Sequence, residues 1–285
     1  MTENTNPLEK YYRQPAIYIK LPSKGKYYGP DAFTPTETGE IGVLPMTAKD
    51  EITFKTPDAM INGQATVDVI KSCVPNIKDP WQMVNYDTDS VLLAIRIATY
   101  GETMNISYNV PVTAESQEHT VNLPAMLETV AKADIQDYAT TSKGFKIKIQ
   151  PLTYKTLTKI QIARFEQQKI YTTLDNSQLG EQEKQSAFAK SFDTLNKVNF
   201  SLLIDSIAEI TTPEGETVTD REQIIQFCNH TDAKTIDEIQ EKLSSLRLQA
   251  QIKPLIVKAT EEQIKKGVPA SFEVPLTFDN SNFFG

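Results

Sequence analysis

The sequence predicts an α+β fold: a mixed N-terminal domain with short strands and two core helices, a mainly helical C-terminal domain, an extended N-terminal arm and a C-terminal tail. Three observations predict it. Prolines and glycines interrupt the first forty residues. Strand-like apolar alternation is confined mostly to the region before residue 151, and helical spacing of apolar residues dominates after it. We therefore place the arm at 1–40, the α+β domain at 41–150, the helical domain at 151–270 and the tail at 271–285.

The arm combines helix-breaking residues with many aromatic ones. Proline lacks a backbone donor and disfavours helix, so this segment should be extended. A disordered tail would be poorer in aromatic residues. The arm therefore either folds back on its own domain or lies along another subunit, where tyrosine gives a large contact area at low entropic cost. The candidate contact residues are Tyr11, Tyr12 and Tyr18.

The α+β domain begins with a short strand at 41–45 and a short helix capped by Thr47, with Asp50 at its third position. The apolar spacing from Asp58 to Val74 predicts an amphipathic helix, in which Asn62-Gly63 marks either a break or a close packing point. The polar cluster from Asp87 to Ser90 should cap and start a second helix that ends at Gly101. This second helix is apolar on nearly all sides and should be central to the core.

Strands are predicted at 104–112, at 119–123 and around residues 145–149, with a short helix at 124–133. Phe145, Ile147 and Ile149 alternate with Lys146 and Lys148, which is typical of a half-buried strand.

The C-terminal domain should hold helices at 154–174 and 181–208. Three further helices are predicted from capping-box patterns, which are Thr219 with Glu222, Thr235 with Glu238, and Thr260 with Gln263. The tail contains a strand-like run at 272–278 and ends in Phe283-Phe284-Gly285. Such an end exposes apolar surface unless its own chain or a neighbouring subunit covers it.

Composition excludes several classes of function. The net charge of −8 and the pI near 5.0 argue against a nucleic-acid partner. The segment 141–170 is an exception, with a net charge of about +6, and is either a solvated face or a contact for an acidic partner.

Cys73 and Cys228 are expected to be buried free thiols. The sequence shows neither an 18-residue apolar run nor a signal peptide, so we expect no membrane span and synthesis in the cytoplasm.

The sequence offers little for catalysis. The two histidines, His119 and His230, lie in no metal-binding spacing, and no phosphate-binding or nucleophile motif occurs. We therefore predict no catalytic, cofactor-binding or metal-binding residues, no cofactor and no small-molecule substrate.

Four segments form a characteristic series along the chain: Pro45 to Glu51, Asn62-Gly63 with the helix to Cys73, the Asp89 to Gly101 helix carrying Arg96, and Pro275 to Phe284. In this order they resemble the baseplate hub assembly and hub subunit family of contractile-tailed, T-even-like bacteriophages. The resemblance covers the chain from about Leu21 onwards. It implies a late, non-enzymatic protein of the virion tail baseplate, whose partners are other baseplate or tail proteins or further copies of itself.

The chain differs from the family pattern in one segment. Many members have a Cys-x-x-Cys zinc-ribbon-like element after the Arg96 helix, whereas this chain has Tyr108-Asn-Val-Pro-Val112 there. We predict a plain hairpin without zinc.

Three hypotheses of function follow. The first is a structural baseplate component whose arms are buried between subunits. The second is a transient assembly chaperone that is absent from the mature virion. The third is an enzyme with a site of dispersed carboxylates, which requires a deep pocket with perturbed pKa values. For the first two, the expected contact residues are Tyr11, Tyr12, Tyr18, Phe283 and Phe284.

Overall fold

A computed structural model describes residues 6–56, 63–175, 180–249 and 251–275 of the chain. Its helices and several small sheets form an α+β fold, which confirms the predicted class. The buried apolar side chains form two main clusters, here called the first core and the second core.

The first core is built on a two-stranded antiparallel sheet and three helices. Strand β1 (Ile17–Lys20) pairs with β2 (Glu40–Val43), with Ile19 opposite Ile41. Helices α1 (Ala48–Phe54), α2 (Gln64–Cys73) and α3 (Asn85–Tyr100) pack around this sheet. Helix α3 is buried on most sides, as its composition predicts. The centre of the first core includes Ile41, Val69, Ile70, Leu93 and Ile95.

A hairpin and a short helix complete this part of the molecule. Strands β3 (Thr103–Asn109) and β4 (Ser116–Asn122) pair antiparallel, from Thr103 opposite Asn122 to Asn109 opposite Ser116. The hairpin predicted around residues 108–112 is thus confirmed. Asn122 then caps α4 (Leu123–Ala131) by accepting the backbone N–H of Ala125 at 2.8 Å.

The second core lies between a four-stranded antiparallel sheet and helices. The strand order is β5 (Tyr138–Thr140), β6 (Lys146–Ile149), β7 (Ile207–Thr211) and β8 (Thr217–Val218). Ile147 and Ile149 of β6 are buried, whereas Lys146 is exposed, as the alternation predicts. Helices α7 (Arg221–His230) and α8 (Ala233–Leu248) cover this sheet through Ile224, Ile239 and Leu243.

Two long helices, α5 (Tyr154–Asp175) and α6 (Glu181–Asp205), connect β6 to β7 and pack against each other. The start of α5 is fixed to the first core, because the Tyr154 N–H donates to the Met83 carbonyl at 2.6 Å and the Tyr154 ring stacks on Trp81. The two cores are therefore joined at this point.

The chain returns to the first core after α8. Strand β9 (Leu255–Lys258) pairs antiparallel with β10 (Ser271–Val274), and α9 (Glu261–Lys265) lies between them in sequence. Ile252 and Leu255 pack against the first core, and Phe272 contacts Tyr108 of the hairpin. No helix in the described ranges is long and apolar enough to cross a membrane.

The helix expected from Asp58 is described from Gln64, with Gly63 as its N-cap, and the predicted start lies outside the described ranges, in residues 57–62. Three other sequence expectations needed correction. Asp87 does not cap α3, which begins after Val84. The caps of α7 and α8 are Asp220 and Asp232 rather than Thr219 and the box at Thr235.

Candidate protein interface

The N-terminal segment places aromatic rings in solvent on an ordered turn. Residues Glu9–Tyr11 form one turn of 3₁₀ helix, and Asn6 accepts the backbone N–H of Leu8 through its side chain and that of Glu9 through its carbonyl. Tyr11 is 73% exposed and Tyr12 is 57% exposed. Neighbouring Leu8 is also exposed, so an apolar and aromatic surface faces water on a turn that already has its conformation.

Arg13 fixes this turn to the first core. Its guanidinium donates to the carbonyl of Pro45 at 2.6 Å, to the carboxylate of Asp50 at 3.1 Å, and to both the carbonyl and the hydroxyl of Ser72 at 2.8 and 2.7 Å. We call these four residues the Arg13 clasp. The clasp joins the chain before β1 to the loop before α1 and to the end of α2. A planar group with several fixed donors suits this role.

The acidic partner in the clasp serves two elements at once. Asp50 is the third residue of α1, where its side chain accepts the Thr47 N–H at 2.8 Å, and Thr47 accepts the Asp50 N–H in return. The predicted cap of α1 is therefore confirmed. Burial tends to raise the pKa of Asp50, but the hydrogen bonds from Thr47 and Ser72 and the charge of Arg13 hold it below its usual value. Asp50 thus remains an anion facing Arg13.

Tyr18 lies apart from Tyr11 and Tyr12, on β1. Its side chain is 65% exposed, whereas that of the next residue, Ile19, belongs to the first core. The alternation of the strand causes this difference. The structure thus places the three predicted tyrosines on the surface, two on the turn and one on the strand. Phe283 and Phe284 lie outside the described residues.

The segment after β1 is also tied to the first core. Asp87 of α3 is fully buried and accepts the Ser23 N–H at 2.9 Å, the Ser23 hydroxyl, and the Tyr28 hydroxyl at 2.7 Å. Burial raises the pKa of Asp87, although these hydrogen bonds oppose the shift. Part of the predicted arm therefore folds back on its own domain, which is one of the two alternatives given by the sequence.

A small polar cavity bears on the enzyme hypothesis. Its volume is about 60 Å³, which is room for a few water molecules, and Lys26, Tyr27, Asp134 and Asp137 help to line it. Asp137 accepts the Tyr27 hydroxyl at 2.7 Å and faces Lys26 at 3.5 Å. Burial raises the pKa of Tyr27 well above its usual value. The carboxylate of Asp137 is thus bound within the protein, which gives this cavity little support as a substrate site.

The two cysteines are buried free thiols, as predicted. Burial raises the pKa of Cys73 to about 11 and also raises that of Cys228, so both thiols stay protonated near neutral pH. Within the four described ranges, no group of three or more His, Cys, Asp or Glu side chains is placed to hold a metal ion.

The basic segment divides into a paired part and an unpaired part. Lys143 forms an ion pair with Asp232 at 2.5 Å, and Lys148 forms one with Glu209 at 3.4 Å. On α5, Lys155, Lys159 and Lys169 are exposed and form no ion pair with another described residue. Lys143, in the turn before β6, and Lys148 on β6 are therefore paired within the chain, and the α5 lysines remain available to an acidic partner.

Comparison with known families shows the family to which the chain belongs. The sequence model of the family described as T4 bacteriophage base plate protein matches residues 15–275. The chain belongs to the T4 bacteriophage base plate protein family. This confirms the resemblance to a T4-like baseplate protein, and a structural role in the phage tail fits the family. No curated protein and no solved structure is significantly similar to the chain.

Two sets of contacts in this T4 base plate family protein were not predicted from the sequence: those of Arg13 and those of Asp87. Arg13 lies in a stretch that contains two tyrosines and a proline. No motif in this stretch predicts that its guanidinium contacts Ser72, 59 residues away. Asp87 was expected to cap a helix, but in the first turn of α3 it is a buried acceptor for Ser23 and Tyr28. A useful signal for Asp87 was its position in a helix that is apolar on nearly all sides, where a carboxylate needs hydrogen-bond donors.

Proposed function

We propose that this protein is a non-enzymatic structural component of the hub region of the phage baseplate, acting through protein–protein contacts and inter-subunit arms. The observation that carries the proposal is the exposure of Tyr11 and Tyr12 on a turn held by the Arg13 clasp. The family supplies the setting, since its members belong to the tail baseplate. The proposed partners are other baseplate proteins, possibly with further copies of this chain.

The energetics favour a contact at this turn. An aromatic ring gains about 25 cal/mol for each Å² of apolar area removed from water. A segment that is ordered before binding loses less conformational entropy on association than a loose one. Tyrosine is enriched among interface residues whose truncation costs 2 kcal/mol or more, which corresponds to about 30-fold in Kd. Two such residues side by side can dominate the binding of a partner.

The proposal is tested by complementation of a phage whose own copy of this gene carries a stop codon. The double variant Tyr11→Ala/Tyr12→Ala should keep the wild-type urea midpoint, because both rings are exposed, and should lower the yield of infectious phage at least tenfold. Ile256→Ala, which removes an apolar side chain of comparable exposure on β9, serves as the control. Normal yields from the double variant would contradict the proposal.

Mass spectrometry of purified virions separates the structural role from that of a transient chaperone. A structural component should be present in stoichiometric amounts relative to a tail protein of known copy number. Absence from virions, together with loss of assembly in the tyrosine variant, would instead favour the chaperone hypothesis.

A further inference from the structure

Strand β1 is an edge strand with a free side. Strand β2 pairs with one side of it, from Ile17 opposite Val43 to Lys20 opposite Glu40. The described ranges contain no strand on the other side. The free edge of a strand presents backbone N–H and C=O groups that can pair with another chain.

A groove with a volume of about 370 Å³ runs along this free edge. All four residues of β1 line one wall. Because four consecutive residues line the groove, it borders the backbone edge and not only one face of the strand. The opposite wall comes from α3 and α4 and is mainly apolar, with Ile97, Pro124, Leu127 and Ala131. The groove therefore combines unpaired backbone groups with apolar surface.

We propose that this groove is a docking site for an extended segment of another baseplate protein, which adds to the sheet as a third strand beside β1. This inference rests on the proposed function and specifies one of its contacts. In strand addition, backbone hydrogen bonds provide affinity and side-chain pockets provide selectivity. A four-residue edge spans about 13 Å, so four to six residues of the partner fit along it.

The charges around the groove define the partner further. Lys20 faces Glu40 at 3.8 Å, and Glu128 forms an ion pair with Lys132 at 2.5 Å. Glu102 lines the groove and forms no ion pair with any residue in the described ranges. The segment that fits is therefore extended, apolar at alternate positions, and carries a lysine or arginine opposite Glu102. The chain's own residues 276–285 contain Asp279 and no basic residue, so they match this description poorly.

Two alanine-to-glutamate variants on α4 test the groove. Ala131 and Ala125 are both exposed, but only Ala131 lines the groove. Ala131→Glu places a carboxylate where the apolar segment would lie, and should reduce phage yield at least tenfold in complementation. Ala125→Glu should give normal yields, and both proteins should keep the wild-type urea midpoint. Normal yields from Ala131→Glu would overturn the proposal.

Hydrogen exchange distinguishes strand addition from side-chain contact. The amides of residues 17–20 that point away from β2 should exchange at least tenfold more slowly in particles containing the chain than in the isolated protein. Unchanged exchange overturns the proposal. Protection of these amides in the isolated protein would also overturn the proposal. If deletion of residues 276–285 abolished that protection, the chain's own C-terminal segment would be the occupant of the groove. If dilution abolished it, the occupant would be a second copy of the chain.

The two proposals fail separately. If Ala131→Glu assembles normally while Tyr11→Ala/Tyr12→Ala does not, the groove is wrong and the proposed function stands. If both variants assemble normally, the proposed function itself is contradicted.

Discussion

At the scale of single residues, long-range hydrogen bonds hold the N-terminal segment in place. Arg13 and Asp87 each join segments that are about sixty residues apart in the chain. The guanidinium of Arg13 is charged when it makes these bonds, and charge-assisted hydrogen bonds are roughly twice as strong as neutral ones. The exposed tyrosines between and beside these contacts are therefore presented from a fixed backbone.

Arg13→Ala should lower the free energy of unfolding by about 2 kcal/mol, because it leaves Asp50 and Ser72 without their shared donor. Arg13→Lys should recover only part of this, since an ammonium group cannot make the planar set of contacts. Urea denaturation provides the measurement. Arg221→Ala is the control: Arg221 pairs with Asp205 at the surface, where loss of an ion pair costs at most about 1 kcal/mol. Equal effects of Arg13→Ala and Arg221→Ala would contradict the clasp.

The carboxyl of Asp89 on α3 should make the free energy of unfolding depend on pH. Burial raises its pKa to about 7. Because the folded-state pKa lies above the unfolded value of about 3.9, the folded protein holds this proton more tightly. The carboxyl then costs no stability below about pH 4, and its cost grows as the pH rises from about 4 to about 7.

Asp89→Asn should therefore be as stable as the wild type at pH 4 and more stable at pH 7.5. Urea denaturation at both pH values measures this difference, with the exposed Asp31→Asn as the control. A variant that is less stable than the wild type at pH 7.5 would show that the ionised Asp89 makes a favourable contact.

At the scale of elements, Gly63 shows why a helix begins where it does. Its φ of +77° lies in the left-handed region, and a Cβ there would approach Thr158 Oγ1 at 3.0 Å and the Tyr154 hydroxyl at 3.1 Å. Both alternatives from the sequence, a break and a close packing point, therefore hold. The glycine allows α2 to start beside α5.

Gly63→Ala should lower the unfolding free energy by at least about 1 kcal/mol, from backbone strain and from crowding against α5. Gly180→Ala is the matched control, because Gly180 has a φ of −64° and its nearest neighbour to an added Cβ is 4.0 Å away. The control should be neutral or slightly stabilising. Thermal unfolding of both variants tests this, and an unchanged midpoint for Gly63→Ala would contradict the close contact.

Local sequence patterns predicted the presence of helices better than the residues at which the helices begin. The predicted cap at Thr47 and the predicted capping box at Thr260 were correct, and in each case the threonine and its partner three residues later bond reciprocally. At α7 and α8, the N-cap is an aspartate near the predicted threonine. Asp and Thr both cap well, so the choice depends on where the preceding chain enters the helix. At α8 the capping Asp232 also forms an ion pair with Lys143, a contact between distant segments that a local pattern does not contain.

At the scale of the whole molecule, the sequence predicted the α+β class and the family but not the way distant segments meet. The division at 1–40, 41–150, 151–270 and 271–285 remains a proposal. Ile19 and Leu21, inside the predicted arm, belong to the first core, and Ile147 and Ile149 belong to the second. Deletion of residues 1–20 would therefore damage the first core, so a truncation that tests the contact surface should end at Tyr12.

The central claim is that Tyr11 and Tyr12 are exposed in the isolated protein and buried in the baseplate. Hydroxyl-radical footprinting with mass spectrometry measures this directly. Both tyrosines should be oxidised readily in the isolated chain, and at least several-fold more slowly in the assembled particle that contains it. Equal reactivity of the two tyrosines before and after assembly would contradict the account.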